Sequence, residues 1–403
     1  MNRNPYGVTF WWTYAANLSL TLVVSLLFRY SDFVAFLGGT EKQLGWITGI
    51  GMLGAIVSRC FQGVGIDRCG PRRVWLISLS LLVTSLLCHL AVSSASSPLL
   101  YGLRIAYAAG LAGAFGASLT FVSLSAPPGR TAEMIGMLGS SGFLGMALGP
   151  QLGDWILGGS AVASEAIRRM FCCASTGGLV SLICASLATR CEVHVPPSRR
   201  PPILALIRRY HPGPSLLVGL AMGMGIGMPG TFVRPFAAQL QISRVGTFFL
   251  VYAIVAFVVR VRATHLADKW GARPTILCGL GLSISSVLSF LAVYAEWMLV
   301  LPAALGGAAH ALLFPAVVSQ GSLSFPRRYR GLATNIILIM FDIGLLVEQP
   351  VLGTTIDRVR AAGGDGYFAA FVGLAVFLAG CAVGYAWMSR AAPARRRNRR
   401  SAG

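Results

Sequence analysis

Apolar runs of about 20 residues recur along the whole of this chain, each long enough to cross a hydrocarbon core of about 30 Å as a helix. No other feature restricts the fold so tightly, because a backbone in lipid must satisfy its own hydrogen bonds. The runs fall at 8–30, 44–66, 74–93, 99–124, 133–157 and 166–189, then at 214–237, 244–264, 274–293, 297–320, 331–355 and 367–389. A polar, Pro/Arg-rich stretch from Arg190 to Gly213 separates the two sets. Phe10 to Leu27 is too long for a cleaved signal and lacks a small-residue cleavage site, so it reads as the first span. Only 11% of the 403 residues are charged and 55% are hydrophobic, and mean hydropathy is +0.70. A soluble chain of this length could not cover its surface with so little charge.

The net charge of +20 raises the question of nucleic acid, and its placement answers no. Nearly all of it is arginine, Lys42 and Lys269 being the only lysines. Arg68, Arg72 and Arg73, then Arg130, then Arg190, Arg199, Arg200, Arg208 and Arg209 occupy every second loop. Lys269 and Arg273, then Arg327, Arg328 and Arg330, and the tail Arg395, Arg396, Arg397, Arg399 and Arg400 continue the alternation. Membrane insertion produces this pattern and places both termini in the cytoplasm; Arg168, Arg169, Arg358 and Arg360 are the exceptions. A basic tail after the last span meets anionic lipid. Trp11, Trp12, Trp46, Trp75, Trp155, Trp297 and Trp387 lie at the predicted ends, where an amphipathic ring prefers to sit. The nine cysteines have no metal-ligand spacing and read as small packing residues.

The chain repeats itself. Arg59-x-x-x-Gly63-x-x-x-Asp67-Arg68-Cys69-Gly70-Pro71-Arg72 returns as Arg260-x-x-x-Thr264-x-x-x-Asp268-Lys269-Trp270-Gly271-Ala272-Arg273, each joining the second and third spans of its set. Gly145-x-x-x-Gly149-Pro150-x-x-Gly153 has an echo in Gln349-Pro350-x-x-Gly353. Parallel six-helix halves of this kind place a binding site between them, near the bilayer midplane.

On these motifs the whole chain resembles the major facilitator superfamily. Gly63 to Arg73 looks like that family's loop motif between spans two and three, with Gly65-Ile66 where a leucine-alanine pair is usual. The resemblance implies an all-α membrane protein of about twelve transmembrane helices, in two six-helix bundles related by pseudo-symmetry. The bundles would comprise residues 1–190 and 214–390, joined by a cytoplasmic linker at 191–213 and followed by a basic tail at 391–403. It also implies a conformational role for Arg59, Gly63, Asp67, Arg68, Gly70, Arg72 and Arg73 and for Arg260, Asp268, Lys269, Gly271 and Arg273. Asp67 can face the positive N-terminus of a helix from the opposite half, and the glycines permit a tight turn and close helix approach. The other reading is that these residues set topology and turn only. Gly145, Gly149, Pro150 and Gly153 resemble the span-five motif of proton-coupled exporters, with Asp154 replacing its final glycine. Arg330 to Ala333 and Phe341 to Gly344 look like bacterial efflux-type members.

Charges inside spans are expensive and need a reason. Asn335, Asp342 and Gln349 recur every seven residues on one face of span eleven, a stripe expected to face a central cavity. Asp342 is a candidate proton or substrate carboxylate; the alternative is a structural carboxylate satisfied by neighbouring helices. Glu348 lies on another face, nearer the outer surface, and is a further proton or substrate candidate. Arg104 in span four matches a family arginine linked to proton transfer, or snorkels to the interface. Arg234 reads as an interface residue. His310 is a candidate proton relay or a packing histidine. Tyr14, Asn17 and Thr21, with Met224, Met228 and Thr231, line a cavity or pack helices.

The chain has no Gly-Lys dipeptide and so no P-loop, no His-Glu-x-x-His and no nucleophile elbow. No cofactor or metal is expected, and the chain is not read as an enzyme. The expectation is a monomeric, multi-pass protein of the plasma (inner) membrane, a secondary active transporter that moves a small organic solute by alternating access. Proton-coupled export is favoured over uptake or facilitated diffusion of a metabolite such as a sugar or organic acid. A membrane-embedded enzyme or sensor is the distant alternative.

Overall fold

The structure is a computed structural model that describes residues 6–127, 130–158, 164–192, 194, 206, 208–262, 270–326 and 330–400. Its regular elements are helices. The first span is α1 (Val8–Leu26), a 3-10 turn at Leu27–Arg29 and α2 (Tyr30–Phe36). Next come α3 (Glu41–Cys88), α4 (Pro98–Ser125), α5 (Thr131–Leu157) and α6 (Ser164–Ala188). The second half contains α7 (Ser215–Gln239), α8 (Gly246–Arg262), α9 (Ala272–Ser289), α10 (Val300–Ser322), α11 (Arg330–Ala361) and α12 (Gly366–Arg400).

Among the described residues nine helices are long and apolar enough to cross a membrane, the longest being Glu41–Ala91 with 51 residues. That one breaks at Gly70, where φ is 81° and Pro71 follows, so it crosses twice. With α5 and α8 the spans number twelve, at the limits expected from hydropathy. Gly271, the repeat counterpart of Gly70, has φ 86° and starts α9. The sequence repeat is therefore also a repeat of backbone conformation, in a region of φ/ψ that is essentially glycine's alone.

The two bundles each close on themselves: α1 packs on α5 and α6, α3 on α4 and α6, while α7 packs on α11, and α9 and α8 on α10. Between bundles, α3 lies along α11 and α5 along α8. Small residues permit that approach. A Cβ added to Gly45 would sit 2.1 Å from the Gln349 carbonyl oxygen, so α3 and α11 touch backbone to backbone. Arg72 and Arg273 do the same work in each copy: Arg72 Nη1 donates to the Thr189 and Arg190 carbonyls after α6, and Arg273 Nη2 to the Ala386 carbonyl of α12.

Some expectations change. Trp155, Trp297 and Trp387 are largely exposed, but Trp75 is 1% exposed and packs near Phe121 inside the first bundle. Proximity to a span end did not separate an interfacial ring from a core one. Only Cys184 and Cys381 are buried; the other seven cysteines are exposed. Gly63 is not a close-approach glycine, since a Cβ there would meet nothing within 4 Å. Thr264, Asp268 and Lys269 lie outside the described residues.

Gly70→Ala should destabilise the protein by about 1–3 kcal/mol, the cost of a side chain in that backbone region, whereas Gly63→Ala should be neutral. Thermal unfolding of the two detergent-purified variants checks the contrast.

Candidate functional site

Two levels of charge tie the bundles together. The first lies inside the membrane, between α3 and α11. Arg59 Nε donates to Asp342 Oδ2 at 2.5 Å, with side chains 15% and 5% exposed. Asn335 Nδ2 donates to the Arg59 carbonyl at 2.8 Å, and the Gln349 main chain abuts Gly45. Asn335 and Asp342 thus bond to α3 of the opposite bundle. The arginine that opens the first loop motif acts here, far from its loop.

The second level is at the end away from the arginine-rich loops. Arg234 on α7 donates to Asp32 on α2 at 3.1 Å and to the Ile242 carbonyl. Asp32 also accepts from Arg29 Nε, and Arg29 Nη1 donates to Asp154 Oδ1 of α5 at 2.5 Å. Asp154 Oδ2 then accepts from the main-chain N–H groups of Val245, at 3.0 Å, and Gly246, at 2.6 Å, at the start of α8. The chain alternates in sign, sums to zero, and none of its four side chains is more than 9% exposed. It begins on α7 and ends on α8, passing through α2 and α5 of the other bundle. A carboxylate at a partly buried helix N-terminus contributes up to ~2 kcal/mol, and removing one member of a buried pair costs about 3–5 kcal/mol.

Asp67 was expected to make such a carboxylate-to-helix contact. Among the described residues its carboxylate has no hydrogen-bond partner; its carbonyl is held by His194 Nε2 at 3.0 Å. Glu192 beside it accepts from the Arg72 N–H at 3.0 Å, while burial pushes its carboxyl above the usual range. Arg68 and Arg73 are exposed. Asp154, which breaks the span-five pattern, makes a contact of this kind at the opposite end.

The span-five glycines prepare that end. A Cβ on Gly145 would lie 2.3 Å from Thr21 Oγ1, on Gly149 2.6 Å from Ser25 Cβ, and on Gly153 3.0 Å from Arg29 Cγ. Side chains there would push α5 off α1 and part Arg29 from Asp154. At the rim Arg360 makes two bonds to Glu41, at 2.9 and 3.0 Å, and Asp357 accepts from the Lys42 N–H at 3.1 Å. On the same side, Arg168 and Arg169 pair with Glu165. A cleft of about 450 Å³, lined by Asp32, Glu41, Leu44, Pro235, Gln239 and Arg360, opens above the buried charges.

The remaining candidates are dispersed. The Arg104 guanidinium lies over the rings of Tyr30 and Tyr107, at 4.4 and 4.9 Å, so it does not snorkel. His310 Nδ1 and the Tyr252 hydroxyl are 3.0 Å apart among aromatic rings. Arg260, counterpart of Arg59, lies over Phe143 and Phe314. Asn17 donates to Ser141 at 3.0 Å and Tyr14 pairs with Ser140 at 3.0 Å, so both tie α1 to α5 inside one bundle. Met228 is fully buried and Met224 nearly so. Glu348 is fully buried, with neither carboxylate oxygen hydrogen-bonded. Arg29 and Asp32 fall at the end of span one, where charges are ordinary; the signal in the sequence is three charged residues, Arg29, Asp32 and Asp154, close to the ends of spans one and five.

The family model described as Major Facilitator Superfamily matches residues 8–263 and 215–403. Among solved structures, a POT family transporter in complex with a thioalcohol-conjugated peptide is similar at 13% identity and TM-score 0.77, over 95% of this chain and 96% of that one. The nucleoside transporter NupG is 13% identical with TM-score 0.73, over 95% and 99%. The D-xylose-proton symporter is 16% identical with TM-score 0.70, over 92% and 96%.

Asp154→Gly, which supplies the glycine usual at this position, should leave Arg29 half-paired and the start of α8 uncapped. Cysteines placed in the cleft should then react faster with a membrane-impermeant maleimide than in the parent, in protein of otherwise normal yield.

Proposed function

The chain belongs to the major facilitator superfamily and is a multi-pass secondary transporter; on that premise we propose that it exports a small organic solute in exchange for protons. The observation that carries the reading is the Arg59–Asp342 pair, a buried ionisable contact between bundles that must separate if they rock. Protonating Asp342 cancels its attraction to Arg59 and weakens that contact; ionising it restores the contact. A proton gradient can thereby bias which conformation the bundles occupy.

We place the arginine-rich loops and both termini in the cytoplasm, and the protein in the plasma (inner) membrane. The charge chain from Arg234 to Asp154 then closes the outer side, and this conformation serves the cytoplasm. Export is supported by the span-five glycines, which resemble those of proton-coupled exporters and seat α5 tightly enough to complete the outer closure. The first loop motif contributes Arg59 to the cross-bundle pair and Arg72 to the end of α6; the second contributes Arg273 to α12. One chain supplies both bundles, so a monomer suffices. Uptake by symport is the runner-up, favoured by the likeness in fold to a proton symporter.

In proteoliposomes, Asp342→Asn should abolish gradient-driven uphill transport while solute exchange or binding survives; unchanged uphill transport would remove Asp342 from coupling. Deletion of the protein should raise cellular retention of its solute, found by a substrate screen. Lower accumulation on deletion would reverse the direction to uptake.

A further inference from the structure

The carboxylate left unused above is Glu348. It lies inside the span Gly331–Ala361, is 0% exposed, and has no hydrogen-bond partner on either oxygen. Gly227, at the middle of α7, is its neighbour, with the position of a Cβ on that glycine 3.9 Å from Glu348 Oε2. Asp342 is six positions earlier on the same helix, about 240° around it, and faces α3 instead.

Among the described residues, the charged groups on the helices packed around α11 have other partners or, like Asp67, Arg68, Arg72 and Arg73 on α3 and Arg390 on α12, lie at the arginine-loop end. On α3, Arg59 binds Asp342 and Glu41 binds Arg360, while Lys42 sits beside Glu41 at the rim. On α7, Arg234 binds Asp32. On α10, His310 faces Tyr252, and on α12 Tyr367 donates to Glu41 and Tyr385 to Gln320. An ionised carboxylate enclosed in this way, with neither counter-ion nor donor, takes up a proton instead.

We propose that Glu348 is a proton-binding site of its own, separate from Asp342, and that it is loaded in the conformation seen here. One helix then holds two acids in opposite states, Asp342 ionised against Arg59 and Glu348 neutral against α7. The step is a proton transfer alone: the Glu348 O–H bond breaks, the proton passes to water, and the carboxylate stays behind. It can occur only when α7 and α11 part enough to admit water, so release is tied to rearrangement within the second bundle. This deepens the proton-coupled reading, yet its test needs neither solute nor gradient.

Infrared spectroscopy of the purified protein in lipid at neutral pH should show the C=O stretch of a protonated carboxylic acid, downshifted in D2O. The band should disappear in Glu348→Gln and persist in Asp342→Asn. Because glutamine matches the neutral acid in shape, Glu348→Gln should melt where the parent does, and Glu348→Leu should still fold. A band of full intensity in Glu348→Gln overturns the proposal, as does a band that is lost in Asp342→Asn alone. So does failure of both Glu348 variants to fold, or a band that forms only when sodium is replaced by choline, which would make the resident ion a metal cation. Loss of transport in Asp342→Asn with the Glu348 band intact would support both readings; intact transport with the band intact would sink only the first.

Discussion

A charge in the bilayer interior must be paired or neutralised, and this protein's architecture follows from where that requirement is met. Arg234, Asp32, Arg29 and Asp154 satisfy one another in a buried line, and its last carboxylate is finished by two N–H groups of α8. None can move alone without leaving a charge orphaned. The bundles are therefore locked at that end by an all-or-none contact, which is what a two-state gate requires. The glycines of α5 are the packing counterpart, since only their lack of side chains brings Asp154 within reach of Arg29.

The Arg59–Asp342 pair obeys the same rule at another depth, with one difference. It is a single ion pair, so one proton on Asp342 would cancel its charge attraction and weaken it, whereas each inner member of the four-membered line keeps a second partner. On the proposed coupling, the buried line holds one side shut and the Arg59–Asp342 pair responds to the gradient. Arg59 meets a carboxylate, and its repeat counterpart Arg260 lies over Phe143 and Phe314.

Much of the fold was legible because helix length and the repeat are local properties of the chain. The twelve spans follow from hydropathy, and Gly70 and Gly271 share a backbone conformation just as they share a motif. Seven-residue spacing groups Asn335, Asp342 and Gln349 on one face but says nothing about what that face meets, and Asn335 and Asp342 meet α3. Partnerships were the illegible part. Asp154 is an acid at a span end, and that it reaches the N-terminus of α8 depends on how the bundles lie, a global property. Arg29 and Asp32 look like interfacial charges until α2 turns them inward. Trp75 failed for a related reason, since a span end in sequence can be a core position in a bundle.

On the proposed mechanism the two ends open in opposition, with protonation inside the membrane shifting the balance. Double electron–electron resonance can follow both ends in one preparation, with spin labels at Ala35 and Ala238 across the cleft and at Leu124 and Leu323 at the arginine-loop end. When pH is lowered through the carboxylate range in lipid, the Ala35–Ala238 distance should lengthen in the same molecules in which Leu124–Leu323 shortens. Distances that change together, or that stay fixed while Asp342 titrates, would contradict it.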